Sequence, residues 1–139
     1  MKKVVKEENE YLLRFDTGEE LISTLKGFLE KEKVFGAVFF GLGAAKEIEF
    51  SFFDPKKKKY FTKKKKGQFE IANLIGNVAT FENKILIHAH ITFGDKNGKT
   101  FCGHLNSLIV CPALELYLKK FKKKIGRKFS LETGLKLLD

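Results

Sequence analysis

Leu21, Ile22, Leu25, Phe28 and Leu29 recur at helical spacing and form one apolar stripe. After it the chain changes period. Val34 to Phe40 is β-branched, aromatic and nearly continuous, and Ile48, Phe50 and Phe52 alternate with Glu47, Glu49 and Ser51. A chain with one helical stripe and many two-residue repeats has one economical solution: a largely antiparallel sheet that buries one face under a helix. The fold class expected is therefore α+β, as a single domain over residues 1–139. That length suffices for one core, and no linker rich in Pro, Gly or Ser divides it.

Local signals place the elements. Thr17 and Glu20 have capping-box spacing ahead of the stripe, and the helix is expected to end near Lys31 to Lys33. Tyr11 to Phe15 reads as a strand before it. Gly41-Leu42-Gly43-Ala44 marks a bend, a bulge or a close backbone approach after the next strand. Tyr60-Phe61, Phe69 to Val78, Ile85 to Phe93, Thr100 to Val110 and Leu114 to Leu118 complete seven or eight strands. Asn83 marks one turn, and Gly94 to Gly98 joins the last hairpin.

That hairpin holds all three histidines, His88, His90 and His104. His88 and His90 are two apart on a strand and share a face. A turn centred on Lys96 sets His88 opposite His104, and His90 opposite Cys102. Directly opposed residues have Cβ atoms roughly 4.5–5.5 Å apart, so three imidazoles converge. Three neutral imidazoles would suit zinc with one position left open, the pattern of catalytic rather than closed structural centres, and the alternative is ordinary sheet histidines with hydrogen-bonded nitrogens. Cys102 could instead occupy the fourth position. A one-residue slip would turn His104 to the other face, so the site depends on register.

Charge raises a different expectation. The chain carries 27 Lys and Arg against 17 Asp and Glu, and only Arg14 and Arg127 are arginine. Lys56, Lys57, Lys58 and Lys59, then Lys63, Lys64, Lys65 and Lys66, flank Tyr60-Phe61-Thr62. Such runs suit nonspecific phosphate contacts, with the aromatic pair stacking on bases. Equally, they suit a solvated hairpin whose lysines block edge-to-edge pairing. Scarcity of arginine argues against specific base readout. Apolar runs are too short for a membrane-spanning helix, the N-terminal residues turn acidic, and two cysteines make no disulfide framework. A cytoplasmic protein without a membrane partner is expected.

Several segments together resemble the PPC (plants and prokaryotes conserved) domain family. They are Arg14 with Gly18-Glu19, Gly41 to Ala44, Phe69-Glu70-Ile71 leading into Leu74 to Asn77, His88-Ala89-His90, Gly103-His104-Leu105, Glu115, and Arg127 to Leu135. The resemblance implies one main helix on a strongly bent, mostly antiparallel sheet, and assembly as a homotrimer. It also implies a fold similar to acetolactate decarboxylase, a zinc enzyme. Some prokaryotic members hold a metal on the histidines matching His88, His90 and His104, and stand-alone members are described as predicted DNA-binding proteins. Plant members carry AT-hooks; this chain has no Arg-Gly-Arg-Pro hook, and Cys102 stands where the family commonly has glycine. Zinc is thus the expected cofactor and a small anionic or carbonyl molecule the expected ligand, with Glu70 as a candidate general base. Nonspecific DNA binding through the lysines is the alternative.

Overall fold

The computed structural model describes residues 1–139. Its elements are β1 (Lys2–Glu7), β2 (Glu10–Asp16), α1 (Leu21–Lys31), β3 (Ala37–Asp54), β4 (Lys59–Phe81), β5 (Lys84–Gly94), β6 (Thr100–Lys120), β7 (Arg127–Phe129) and β8 (Lys136–Leu138). The first six strands form one antiparallel sheet in the order β1-β2-β6-β3-β4-β5. β5 also pairs with the beginning of β6, so β6, β3, β4 and β5 close on themselves at one end. β7 and β8 make a separate two-stranded sheet. The α+β expectation holds, with one helix and a bent sheet.

The helix forms where the stripe predicts. Leu21, Leu25, Phe28 and Leu29 are buried against the sheet, and each contributes roughly 1.5–3 kcal/mol by leaving water. The cap differs from the capping box. Glu20 is itself the N-cap, and its carboxylate accepts from the backbone N–H groups of Ile22 and Ser23. It also accepts from Leu108 N–H on β6 at 3.2 Å. Thr17 instead donates to the Pro112 carbonyl. At the other end Lys3 and Lys6 of β1 hold Glu32, whose carboxyl is drawn down to about 2 by hydrogen bonds from both.

Segments expected as separate strands merge into long ones. β3 runs through the glycine segment because bulges absorb it: Gly41 pairs with Leu74 and Gly43 with Ile71. Gly43 has φ +147°, and a Cβ there would stand 2.5 Å from the Ala113 carbonyl oxygen, so the close crossing of β3 and β6 requires glycine. β6 likewise continues past Val110. Its Cys111–Pro112 peptide is cis, and pairing resumes at Ala113 and Leu114. Glu82 and Asn83 both have positive φ and turn β4 into β5 in two residues.

Candidate metal centre

The hairpin register differs by two residues from the sequence expectation. His90, not His88, lies opposite His104, and Cys102 lies opposite Thr92 rather than His90. The loop explains the shift. Asp95 N–H donates to the Lys99 carbonyl, and the Asp95 carboxylate accepts from the N–H groups of Asn97 and Lys99. This centres the turn on Asn97 and gives Gly98 φ +77°. The step is even, so the faces are unchanged and the three rings still converge.

Two cross-strand rows build the site. One runs Tyr117 (β6), Phe40 (β3), Ile75 (β4), His90 (β5) and returns to His104 near the start of β6. The neighbouring row is Lys119, Val38, Asn77 and His88. Closure of the sheet is what brings the beginning of β6 to β5. Ring centroids are 5.2 Å apart for His88–His90, 5.1 Å for His88–His104 and 5.6 Å for His90–His104. One ligand nitrogen from each lies within 4.8 Å of the others. Glycine permits this proximity. At Gly103 a Cβ would stand 2.8 Å from the Ser51 carbonyl oxygen, and at Gly76 it would stand 2.5 Å from that of His88.

Electrostatics favour neutral rings. Burial lowers His88 to about 4, helped by the neighbouring His104, Arg127 and His90. His104 is also lowered, by burial and then by His90. His104 Nδ1 is buried without a hydrogen-bond partner. Neutral nitrogens, one of them unpartnered, with no carboxylate in the cluster, suit a borderline-soft cation such as Zn²⁺. Zn–N bonds of about 2.0–2.1 Å place tetrahedral ligands about 3.4 Å apart, so modest side-chain rotations must draw the nitrogens inward.

Residues distant in sequence complete the walls. Arg127 Nη2 donates to Asn77 Oδ1 at 2.7 Å and approaches His88 Nδ1 at 3.5 Å. Tyr60 packs its ring on Phe53 and on His104, at 5.0 and 5.2 Å. It thereby forms a wall of the histidine site. Cavities of about 460, 410 and 540 Å³ all include His88 in their lining. Nothing local in the sequence ties Arg127 or Tyr60 to the histidines. An arginine in a chain with only two is the one available hint.

Other candidates lie elsewhere. Cys102 is exposed and outside the cluster of ligand atoms. Glu70 is exposed and pairs with Gly94, four residues along β5 from His90. At about 3.3 Å per residue that is about 13 Å away. The lysine hairpin is partly engaged. Lys64 and Lys66 pair with Glu47, and Lys58 donates to the Leu131 carbonyl. Lys57 and Lys65 sit over Phe61 and Phe101. Lys56, Lys59 and Lys63 make no ion pair.

A bent antiparallel sheet with one helix and three convergent histidines defines the class. The Plants and Prokaryotes Conserved (PCC) domain model matches residues 2–122, and the chain belongs to that family. A protein from Bacteroides thetaiotaomicron, described as a candidate DNA-binding protein, is 30% identical with TM-score 0.93, covering 97% of this chain and 94% of its own. A Pyrococcus horikoshii plant- and prokaryote-conserved protein is 34% identical with TM-score 0.87, over 95% and 92% of the two chains. A metal-containing protein from Archaeoglobus fulgidus is 31% identical with TM-score 0.88, over 99% of both. A Staphylococcus aureus protein similar to alpha-acetolactate decarboxylase shares the fold alone, at 12% identity and TM-score 0.57, over 88% of this chain and 54% of its own. Curated proteins give no match to the sequence.

Proposed function

We propose that this protein uses His88, His90 and His104 to hold a metal ion, zinc by the chemistry of the donors, and presents it to a small anionic or carbonyl-containing molecule. The observation that carries the reading is the convergence of three ligand nitrogens within 4.8 Å on a face with no competing carboxylate. The metal-containing Archaeoglobus relative supports it. A bound zinc would supply a Lewis-acid position for an oxygen ligand. The histidines provide neutral lone pairs, Tyr60 shields His104, and Asn77 steadies Arg127 beside His88. Glu70, on β4 opposite Gly94, stands too far from His90 to act directly as a general base there.

The same reading includes a single domain over residues 1–139, a cytoplasmic setting and a homotrimer. No helix is long and apolar enough to cross a membrane. Support for self-association is the outer sheet face. Val38, Phe40, Leu42 and Ile75 are 43, 57, 57 and 56% exposed, on neighbouring strands that lead to His90. An apolar patch of this kind marks a surface that another molecule covers.

Metal analysis of the purified chain tests the centre. One metal per chain is expected in the wild type, with loss in His88→Ala and in His104→Ala. Stoichiometric metal in both variants would overturn the reading. A second reading, nonspecific DNA binding, draws on the description of the Bacteroides relative and on the unpaired Lys56, Lys59 and Lys63. It requires affinity that falls steeply with salt. Undetectable binding to duplex DNA at low salt would remove it.

A further inference from the structure

Arg127 is a half-buried cation without a counter-ion. Its guanidinium contacts only neutral acceptors: the Lys136 carbonyl at 2.6 Å, Asn77 Oδ1 at 2.7 Å and, more loosely, His88 Nδ1 at 3.5 Å. Among the ion pairs of the molecule it takes part in none, whereas Arg14 pairs with Asp16. Nε is buried with no partner. Two short bonds fix the guanidinium plane, and the long third contact is the one an incoming oxygen replaces most cheaply.

The setting is a cavity of about 410 Å³ whose lining includes Arg127, His88 and His104 together with Leu86, Leu135 and Leu137. Pockets for small molecules begin near this size, about 300–1,000 Å³. Its walls are largely apolar, and its polar side chains include the Arg127 cation, two imidazoles and the Tyr60 phenol. Lys136 also lines it, but its ammonium sits 4.3 Å over the Phe81 ring. With the Lys136 ammonium drawn onto Phe81, the Arg127 charge matches a single negative charge, and the apolar wall matches a hydrocarbon body. In the metal-free chain a phosphate dianion would be under-compensated. Arginine is the side chain suited to a planar carboxylate.

We infer that Arg127 and the histidine cluster form a binding site for a small monocarboxylate with a short aliphatic or aromatic body. The carboxylate takes Nη hydrogens of Arg127, and the body lies along Leu86, Leu135 and Leu137. This builds on the reading of the histidines as a ligand centre, yet Arg127 sits on β7, beyond the residues the family model matches. A metal on the histidines would add a second contact for the same carboxylate.

The test separates the two claims. Butanoate, uncharged butanamide and inorganic phosphate are titrated into the full chain by nuclear magnetic resonance, after chelator treatment and after zinc loading, with metal content measured in each sample. The wild type is expected to bind butanoate in preference to butanamide and phosphate. Arg127→Gln should weaken butanoate at least tenfold with metal content unchanged, and Arg127→Lys should recover part of the loss. Should Arg127→Gln fold poorly, protection of Arg127 from phenylglyoxal by butanoate in the wild type gives the same answer. Equal binding of butanoate and butanamide, preference for phosphate in the metal-free chain, undiminished binding in a folded Arg127→Gln, or absence of protection overturns the proposal. A chain that takes up no zinc on loading yet binds butanoate through Arg127 refutes only the metal reading.

Discussion

Gly76→Ala offers a test of how the histidine site is supported. Gly76 lies on β4 between Phe39 of β3 and Ala89 of β5. A Cβ there would stand 2.5 Å from the His88 carbonyl oxygen and 2.9 Å from Phe39 Cε1. Ordinary contacts lie near 3.5–4.0 Å, so the strands must part by about an ångström or the ring must turn. Phe39 is only 2% exposed and has no room to turn. Overpacking of this kind costs about 1–3 kcal/mol. For a chain of this size each kcal/mol lowers Tm by about 3–5 °C, so a fall of about 3–15 °C is expected. The shift also moves His88, so metal affinity should drop although no ligand has been changed. Thermal unfolding by circular dichroism, with zinc binding measured by competition with a chromophoric chelator, reads both. An unchanged Tm, or a lowered Tm with intact zinc affinity, would refute the claim that close β4–β5 approach at Gly76 sets the site.

Gly27 is the contrasting case: it lies mid-helix on the exposed face, with nothing within 4 Å of where an alanine methyl would stand, and Gly27→Ala should stabilise by up to about 1 kcal/mol in urea unfolding. His88 titrates near 4 when folded against 6.5 when free. The folded chain then binds fewer protons between those values, so stability rises with pH across the window and is lost as pH falls through about 4. Fully realised, the shift is about 3 kcal/mol, and partial exposure reduces this to about 1–2. Metal-free wild type should therefore lose more stability from pH 7 to 4.5 than His88→Asn, as denaturant midpoints will show. Glu47→Gln releases Lys64 and Lys66; if the hairpin touches phosphate, DNA affinity at low salt should rise and its salt slope steepen, while no change argues that these lysines only solubilise the strand edge.

The sequence is most informative where a signal is local. The helical stripe marks α1 directly, and the His-x-His spacing with a short loop implies a shared face. Gly41 and Gly43 mark a bend, bulge or close approach, and Pro112 a strand end, because such residues usually interrupt pairing. Here bulges and a partner strand on each side carry β3 and β6 through them. The turn centre lies one residue beyond the expected one because the Asp95 side chain, through its two N–H bonds, decides which residues enter the loop. β1, β7 and β8 have no readable pattern: β1 is exposed throughout, and β7 and β8 have three residues each. Arg127 reaches His88 across 39 residues, a separation that no periodicity can encode.

Glu20 binds three amides with one carboxylate, two at the start of α1 and one on β6. The chain beside it supplies the neighbour that β6 lacks there: Gly18 N–H donates to the Val110 carbonyl, and Val110 N–H to that of Glu19. Between the stretches paired to β5 and β2, this turn of backbone therefore stands in for a strand. The first turn of the helix and the middle of β6 consequently cannot open independently. Hydrogen exchange should find the amides of Ser23, Leu108 and Val110 protected by a common opening free energy, and Glu20→Ala should lower all three together.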